Sequence, residues 1–104
     1  MSYCVYLLIS KHKSKLFSYV GYTKNLNKRL ILHNISRGAK YTKGKKWIVF
    51  YKEIYNSKSR AMSREYELKK DRKFRNFLRE EFKKINKISK CDKNRLQWKF
   101  QFYY

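Results

Sequence analysis

The run Tyr3-Cys4-Val5-Tyr6-Leu7-Leu8-Ile9, followed after a polar interval by Phe17-Ser18-Tyr19-Val20-Gly21-Tyr22, decides how this chain is read. Both runs are rich in β-branched and aromatic residues, and the interval Ser10 to Lys15 is polar, which is the pattern of a two-stranded hairpin. Side chains alternate along a strand. Tyr6 therefore shares a face with Leu8, Val5, Leu7 and Ile9 take the other, and Tyr19 pairs with Gly21. One tyrosine from each strand can face the same side.

Outward from the hairpin, Asn25 reads as the N-cap of a helix running to about Ile35, with Leu26 and Leu30 on its buried side. Arg29 and His33 are also four apart, so a guanidinium and an imidazole sit one turn above each other on one face. Gly38 and Gly44 punctuate a loop, Ser36 to Lys46, that carries Arg37, Lys40, Lys43, Lys45 and Lys46 and no acid. A third strand is expected from Trp47-Ile48-Val49-Phe50-Tyr51. From Asn56 or Ser57 a helix runs through Ala61 to Lys70. A second helix follows almost directly, because Phe74, Phe77, Leu78, Phe82 and Ile85 recur at three- and four-residue steps. Leu96, Trp98, Phe100, Phe102 and Tyr104 occupy every second position, which suggests an extended segment at a sheet edge.

The 104 residues include 28 Lys+Arg against 7 Asp+Glu, a formal net charge of +21, with 42% hydrophobic and 18% aromatic residues. A single folded, strongly basic domain is expected, not a disordered chain. Such charge interleaved with aromatics favours a polyanion, because Lys and Arg release counterions from phosphates and rings can stack on bases. Nucleic acid leads, with an anionic membrane surface as the weaker option. The longest apolar run is too short to span a bilayer, and no basic segment precedes it as in a signal peptide, so a cytoplasmic location is expected. Cys4 and Cys91 stand far apart with no Cys/His cluster, so no zinc site and no disulfide framework are expected.

Carboxylates are scarce: residues 1–57 hold 12 Lys/Arg and the single acid Glu53. Paired-carboxylate hydrolysis and a two-metal carboxylate cage are hard to build there, whereas a site using one carboxylate is not. No phosphate-binding glycine loop, dinucleotide fingerprint, zinc-protease motif or nucleophile elbow is present.

Cys4-Val5-Tyr6 followed by Tyr19-Val20-Gly21 resembles the paired signature of the GIY-YIG nucleases. The resemblance extends, in order, through Tyr22-Thr23, Arg29-Leu30, His33-Asn34, Gly38-Ala39-Lys40-Tyr41-Thr42, Trp47, Ala61-Met62, Arg64-Glu65-Tyr66 and Leu68-Lys69-Lys70. It is closest to the small stand-alone bacterial, UPF0213-like branch and covers about residues 2–82. Cys4 stands where the signature has glycine and Val5 where it has isoleucine. The resemblance implies an α/β fold with a small, mainly antiparallel three-stranded sheet flanked by helices. Residues 1–82 would form that domain and 83–104 a basic, aromatic extension packed on it.

The resemblance also implies metal-dependent hydrolysis of DNA phosphodiesters, in repair or recombination or on branched or damaged DNA. Glu65 would bind one divalent cation, Mg²⁺ or Mn²⁺ in its place, which a single carboxylate, waters and phosphate oxygens can satisfy. Arg29 would hold the scissile phosphate through its fork. Tyr6 would be the candidate general base, given Arg29 and the metal near enough to stabilise its phenolate, and which of these residues moves the proton is left open. Tyr19 would orient water or phosphate, and His33 would assist proton transfer or contact phosphate. The basic loop, with Lys69 and Lys70, would contact the DNA backbone. The competing reading is a basic DNA- or RNA-binding module without turnover. DNA preference, pathway and oligomeric state are not legible in the residues.

Overall fold

The computed structural model describes residues 2–88 and 100–103. Along the chain it forms β1 (Tyr3–His12), β2 (Lys15–Thr23), α1 (Leu26–Asn34), β3 (Ile48–Tyr55), α2 (Lys58–Lys70), α3 (Arg72–Ile88) and β4 (Phe100–Tyr103). The sheet order is β2-β1-β3-β4. The first three strands are antiparallel, as expected, and β4 adds to the edge of β3 in parallel. The expected edge segment is thus present at Phe100–Tyr103, while Leu96, Trp98 and Tyr104, like Cys91, lie outside the described residues.

The β1–β2 hairpin is longer than its hydrophobic runs. Ser10 pairs with Phe17 and His12 with Lys15, so the polar interval continues the ladder and only Lys13 and Ser14 turn the chain. Both have positive φ, 50° and 66°, the backbone of a tight two-residue hairpin turn whose twist matches the strands. As the centre of the sheet, β1 is buried from Cys4 through Ser10. Its two faces divide as the alternation requires. Val5, Leu7 and Ile9 pack with Phe50, Ala61, Leu68, Leu78 and Phe82, which places α2 and α3 on that face. Cys4, Tyr6 and Leu8 pack with Trp47, Val49, Leu26 and Leu30, which places α1 on the other. Burial pushes the Cys4 thiol up to about 11, so it stays protonated as a small core group.

Three local devices set where the helices begin and end. Asn25 caps α1 by accepting from Lys28 N at 3.1 Å, as its sequence position predicts. At the other end Arg37 N donates to Leu32 O and Ser36 N to His33 O, a Schellman turn with Ser36 at φ 64°. That turn throws the chain back across α1. Asn34 then holds the Trp47 backbone by its side-chain amide, accepting from the nitrogen and donating to the carbonyl. For this reason β3 begins at Ile48 and not at Trp47, whose backbone is already bonded. Asp71 separates α2 from α3 and caps the latter by accepting from Phe74 N at 3.0 Å. Among the described residues no helix is long and apolar enough to cross a membrane.

Candidate active site

Tyr6 and Gly21 are directly paired across the hairpin. A Cβ built on Gly21 would lie 2.5 Å from the Tyr6 hydroxyl, so only glycine leaves room for that phenol to cross the neighbouring strand. The ring is 1% exposed, and its hydroxyl meets Nε2 of His33 on α1 at 3.0 Å. Tyr19 comes from β2 on the same side, with its ring centroid 5.0 Å from His33 and 6.5 Å from Tyr6. The shared face expected for the two tyrosines therefore holds, and α1 supplies the imidazole between them.

His33 is fully buried, and its far nitrogen, Nδ1, lies 2.9 Å from Thr42 Oγ1. The Thr42 hydroxyl also reaches the Ala39 carbonyl at 3.0 Å, and when its proton points there it accepts from His33. In that arrangement the proton sits on Nδ1 and the Nε2 lone pair accepts from the Tyr6 hydroxyl. Burial, with the Arg29 charge, lowers the His33 pKa from 6.5 to about 4, so the imidazole is neutral at neutral pH. Gly38 closes over this ring so tightly that any Cβ there would collide with it.

Arg29 is held from the loop side, its Nη2 donating to Gly38 O at 3.2 Å. Its charge reaches both His33 and Tyr6. The sequence led us to expect a phenol activated by nearby cations. Instead, burial raises Tyr6 from 10 to about 12, outweighing Arg29, while the negative charge of Glu65 pushes the same way. The phenol is a hydrogen-bond donor to His33, not a standing phenolate. Glu65, on α2, has a side chain only 20% exposed and pairs with Lys69 Nζ at 3.3 Å. Glu67 points to solvent and pairs with Arg64.

A second buried acid was missed in the sequence, where Glu53 was noted only as the lone carboxylate of its half. It is 1% exposed and accepts from Tyr51, from Tyr55 at 2.6 Å and from Arg64 Nε at 2.9 Å. Burial alone would raise its pKa, but Arg64 and the two phenols outweigh that and hold it below the ordinary range. Arg64 immediately precedes Glu65, so this ion pair ties that turn of α2 to β3. Thr42 was likewise overlooked; its only sequence signal was membership in the Gly38–Thr42 block.

Of the basic residues expected to meet DNA, Arg37, Lys40, Lys43 and Lys46 are exposed on the loop beside Gly38. Lys45 lies over the rings of Phe17 and Tyr41, at 4.9 and 5.5 Å. Lys69 reaches the site through Glu65, whereas Lys70 turns to the Tyr66 ring at 4.1 Å. Among the described residues no three metal-ligating side chains cluster. A single half-buried carboxylate beside phenols and a guanidinium fits an ion completed by water and substrate oxygens, and does not fit a preformed cage.

Compared with known proteins, residues 2–82 match the model of the GIY-YIG catalytic domain. A UPF0213 protein of Staphylococcus haemolyticus is 48% identical over 65 residues, 62% of this chain and 78% of the relative. UPF0213 proteins of Staphylococcus saprophyticus and Staphylococcus epidermidis are 48% and 50% identical over 52 residues, covering 49% of this chain and 63% of their own length. This chain thus spans under two thirds of those two relatives. No solved structure matches it.

Proposed function

The chain belongs to the GIY-YIG family, and from that membership we propose that it is a metal-dependent endonuclease that hydrolyses DNA phosphodiester bonds. The observation that carries this reading is the directed hydrogen-bond chain from Tyr6 through His33 to Thr42, with Arg29 and Glu65 beside it. A buried phenol whose proton already points at a neutral imidazole is a proton relay. As water approaches phosphorus, Tyr6 takes its proton while passing its own to His33 Nε2, and the imidazolium is stabilised by the Nδ1 bond to Thr42. This removes the need for a phenolate in the resting protein. It also fits the raised Tyr6 pKa, because no step requires the phenol to ionise alone.

Arg29 faces the charge that grows on the phosphoryl oxygens, and anchoring on Gly38 O limits the reorganisation it needs at the moment of reaction. Tyr19 orients water or phosphate from the second strand. Glu65 would hold one divalent cation, Mg²⁺ or Mn²⁺; when bound, that ion neutralises charge on the phosphate and leaving group. Before it binds, Lys69 compensates Glu65. The loop cations Arg37, Lys40, Lys43 and Lys46 are placed to contact backbone phosphates without reading bases. Repair, recombination or the processing of branched DNA is the setting we propose.

The test is nicking of a labelled duplex by purified protein with Mg²⁺, with Mn²⁺ and with EDTA, alongside Glu65→Gln and Arg29→Ala. Cutting by the wild type in the presence of metal, lost in both variants while DNA affinity persists in Glu65→Gln, is the expected result. Intact DNA in every sample, with affinity unchanged, would leave a basic binding module.

A further inference from the structure

A cleft of about 300 Å³ opens beside the catalytic hairpin, lined by Ser18, Tyr19, Val20, Tyr41, Lys69 and Arg75. No carboxylate lines it. Arg75 reaches back from α3 and donates Nη2 to Lys69 O at 2.9 Å, at the end of α2. Its Nε is shielded from solvent and has no acceptor among the described residues. Such a donor is costly to leave unmade, and a charged donor gains most from an anionic oxygen. Also lining the cleft, Tyr41 stacks on Tyr19, with centroids 6.2 Å apart and planes 22° from parallel, yet Tyr41 is 49% exposed. Lys45 lies over the Tyr41 ring and keeps that side of the platform positive.

Two cations, Arg75 and the Glu65-paired Lys69, line the same cleft as a half-exposed ring, which suits the two ends of a nucleotide, phosphate on the cations and base on the ring. The base can reach Tyr41 only if it has left its own stack, since stacking on a protein ring requires a free face. We propose that this cleft binds an unpaired nucleotide adjacent to the cut bond, its phosphate on Arg75 and Lys69 and its base on Tyr41. The protein then prefers DNA with a single-stranded flank over a continuous duplex. Only the position next to the cut rests on the nuclease reading; the nucleotide site itself does not.

Binding is measured by fluorescence anisotropy in EDTA, so that no strand is cut, at several salt concentrations. The probes are a continuous duplex, the same duplex with a single-stranded flap, and the flap with abasic residues next to the junction. Wild type should bind the flap about tenfold more tightly than the duplex, the scale of one base–aromatic stack. Tyr41→Ala should erase that preference, Tyr41→Trp should keep it, and on the abasic flap Tyr41→Ala should cost nothing. Arg75→Ala should weaken flap binding and reduce the slope of log affinity against log salt by about one. Arg75→Lys keeps the charge but lacks the planar guanidinium fork. It should keep most of the slope while losing flap affinity, which covers the case in which the alanine variant fails to fold. Equal binding of flap and duplex by wild type, or the same Tyr41→Ala penalty on intact and abasic flaps, overturns the proposal. Flap preference without cutting in any metal would remove the nuclease reading and keep this site, and metal-dependent cutting without flap preference would do the reverse.

Discussion

Replacing Glu53 by glutamine isolates the contact that holds α2. The carboxylate accepts from three side chains: Tyr51, Tyr55 and Arg64. An amide retains one acceptor oxygen and turns its NH₂ toward a donor, and the Arg64 guanidinium loses its buried counter-charge. Removing one partner of a buried pair costs about 3–5 kcal/mol. The lower end applies, because Arg64 keeps contact with solvent and with Glu67 at 3.5 Å. About 3 kcal/mol should lower Tm by roughly 12–24 °C in a domain of this size. The loss is pH-dependent in a stated direction. The folded pKa of Glu53 is depressed, so its contribution is present above the ordinary value of 4.5 and disappears as pH falls through the folded value. The wild-type advantage over Glu53→Gln, measured by thermal melts followed by circular dichroism, should therefore shrink toward zero in acid. The double variant Glu53→Leu/Arg64→Met should recover only part of the lost Tm, because an apolar pair leaves no buried charge uncompensated but takes the acceptor from the Tyr51 and Tyr55 hydroxyls. A Tm for Glu53→Gln within about 3 °C of wild type at neutral pH would refute the idea that this carboxylate organises α2.

Gly21→Ala places a methyl 2.5 Å from the Tyr6 hydroxyl in a fully packed strand; about 1–3 kcal/mol of stability should be lost in urea unfolding, with any nicking activity falling further than stability predicts. His33 has its folded pKa depressed from 6.5 to about 4, so the stability from keeping it neutral is complete above about 6.5 and is lost as pH falls through that window. The fall of Tm between pH 6.5 and 4 should be shallower in His33→Asn than in wild type; an identical slope would count against a buried neutral imidazole. Lys13→Asn/Ser14→Gly supplies the residues that the turn's positive φ values favour, so Tm should rise, by about 1 kcal/mol in stability terms.

The hairpin, both α-helical caps at Asn25 and Ser57, and the two faces of β1 were legible in the chain because each follows from a local rule: period-two alternation, a capping side chain, a punctuating residue. Clustering of Tyr6, Tyr19, Arg29, His33 and Glu65 was legible only through an ordered series of motifs, since spacing alone places no residue of α2 against the hairpin. What folding alone decided is the chemistry of that cluster. Burial sets the charge state of His33 and raises the Tyr6 phenol, and Thr42 and Ala39 supply the hydrogen bonds behind the ring from nine or fewer residues away along a loop whose path no periodicity describes. The Glu53–Arg64 pair and the Tyr41–Arg75 cleft join residues whose separations carry no sequence signal, because desolvation and hydrogen-bond geometry depend on which surfaces meet and not on the order in which the chain visits them.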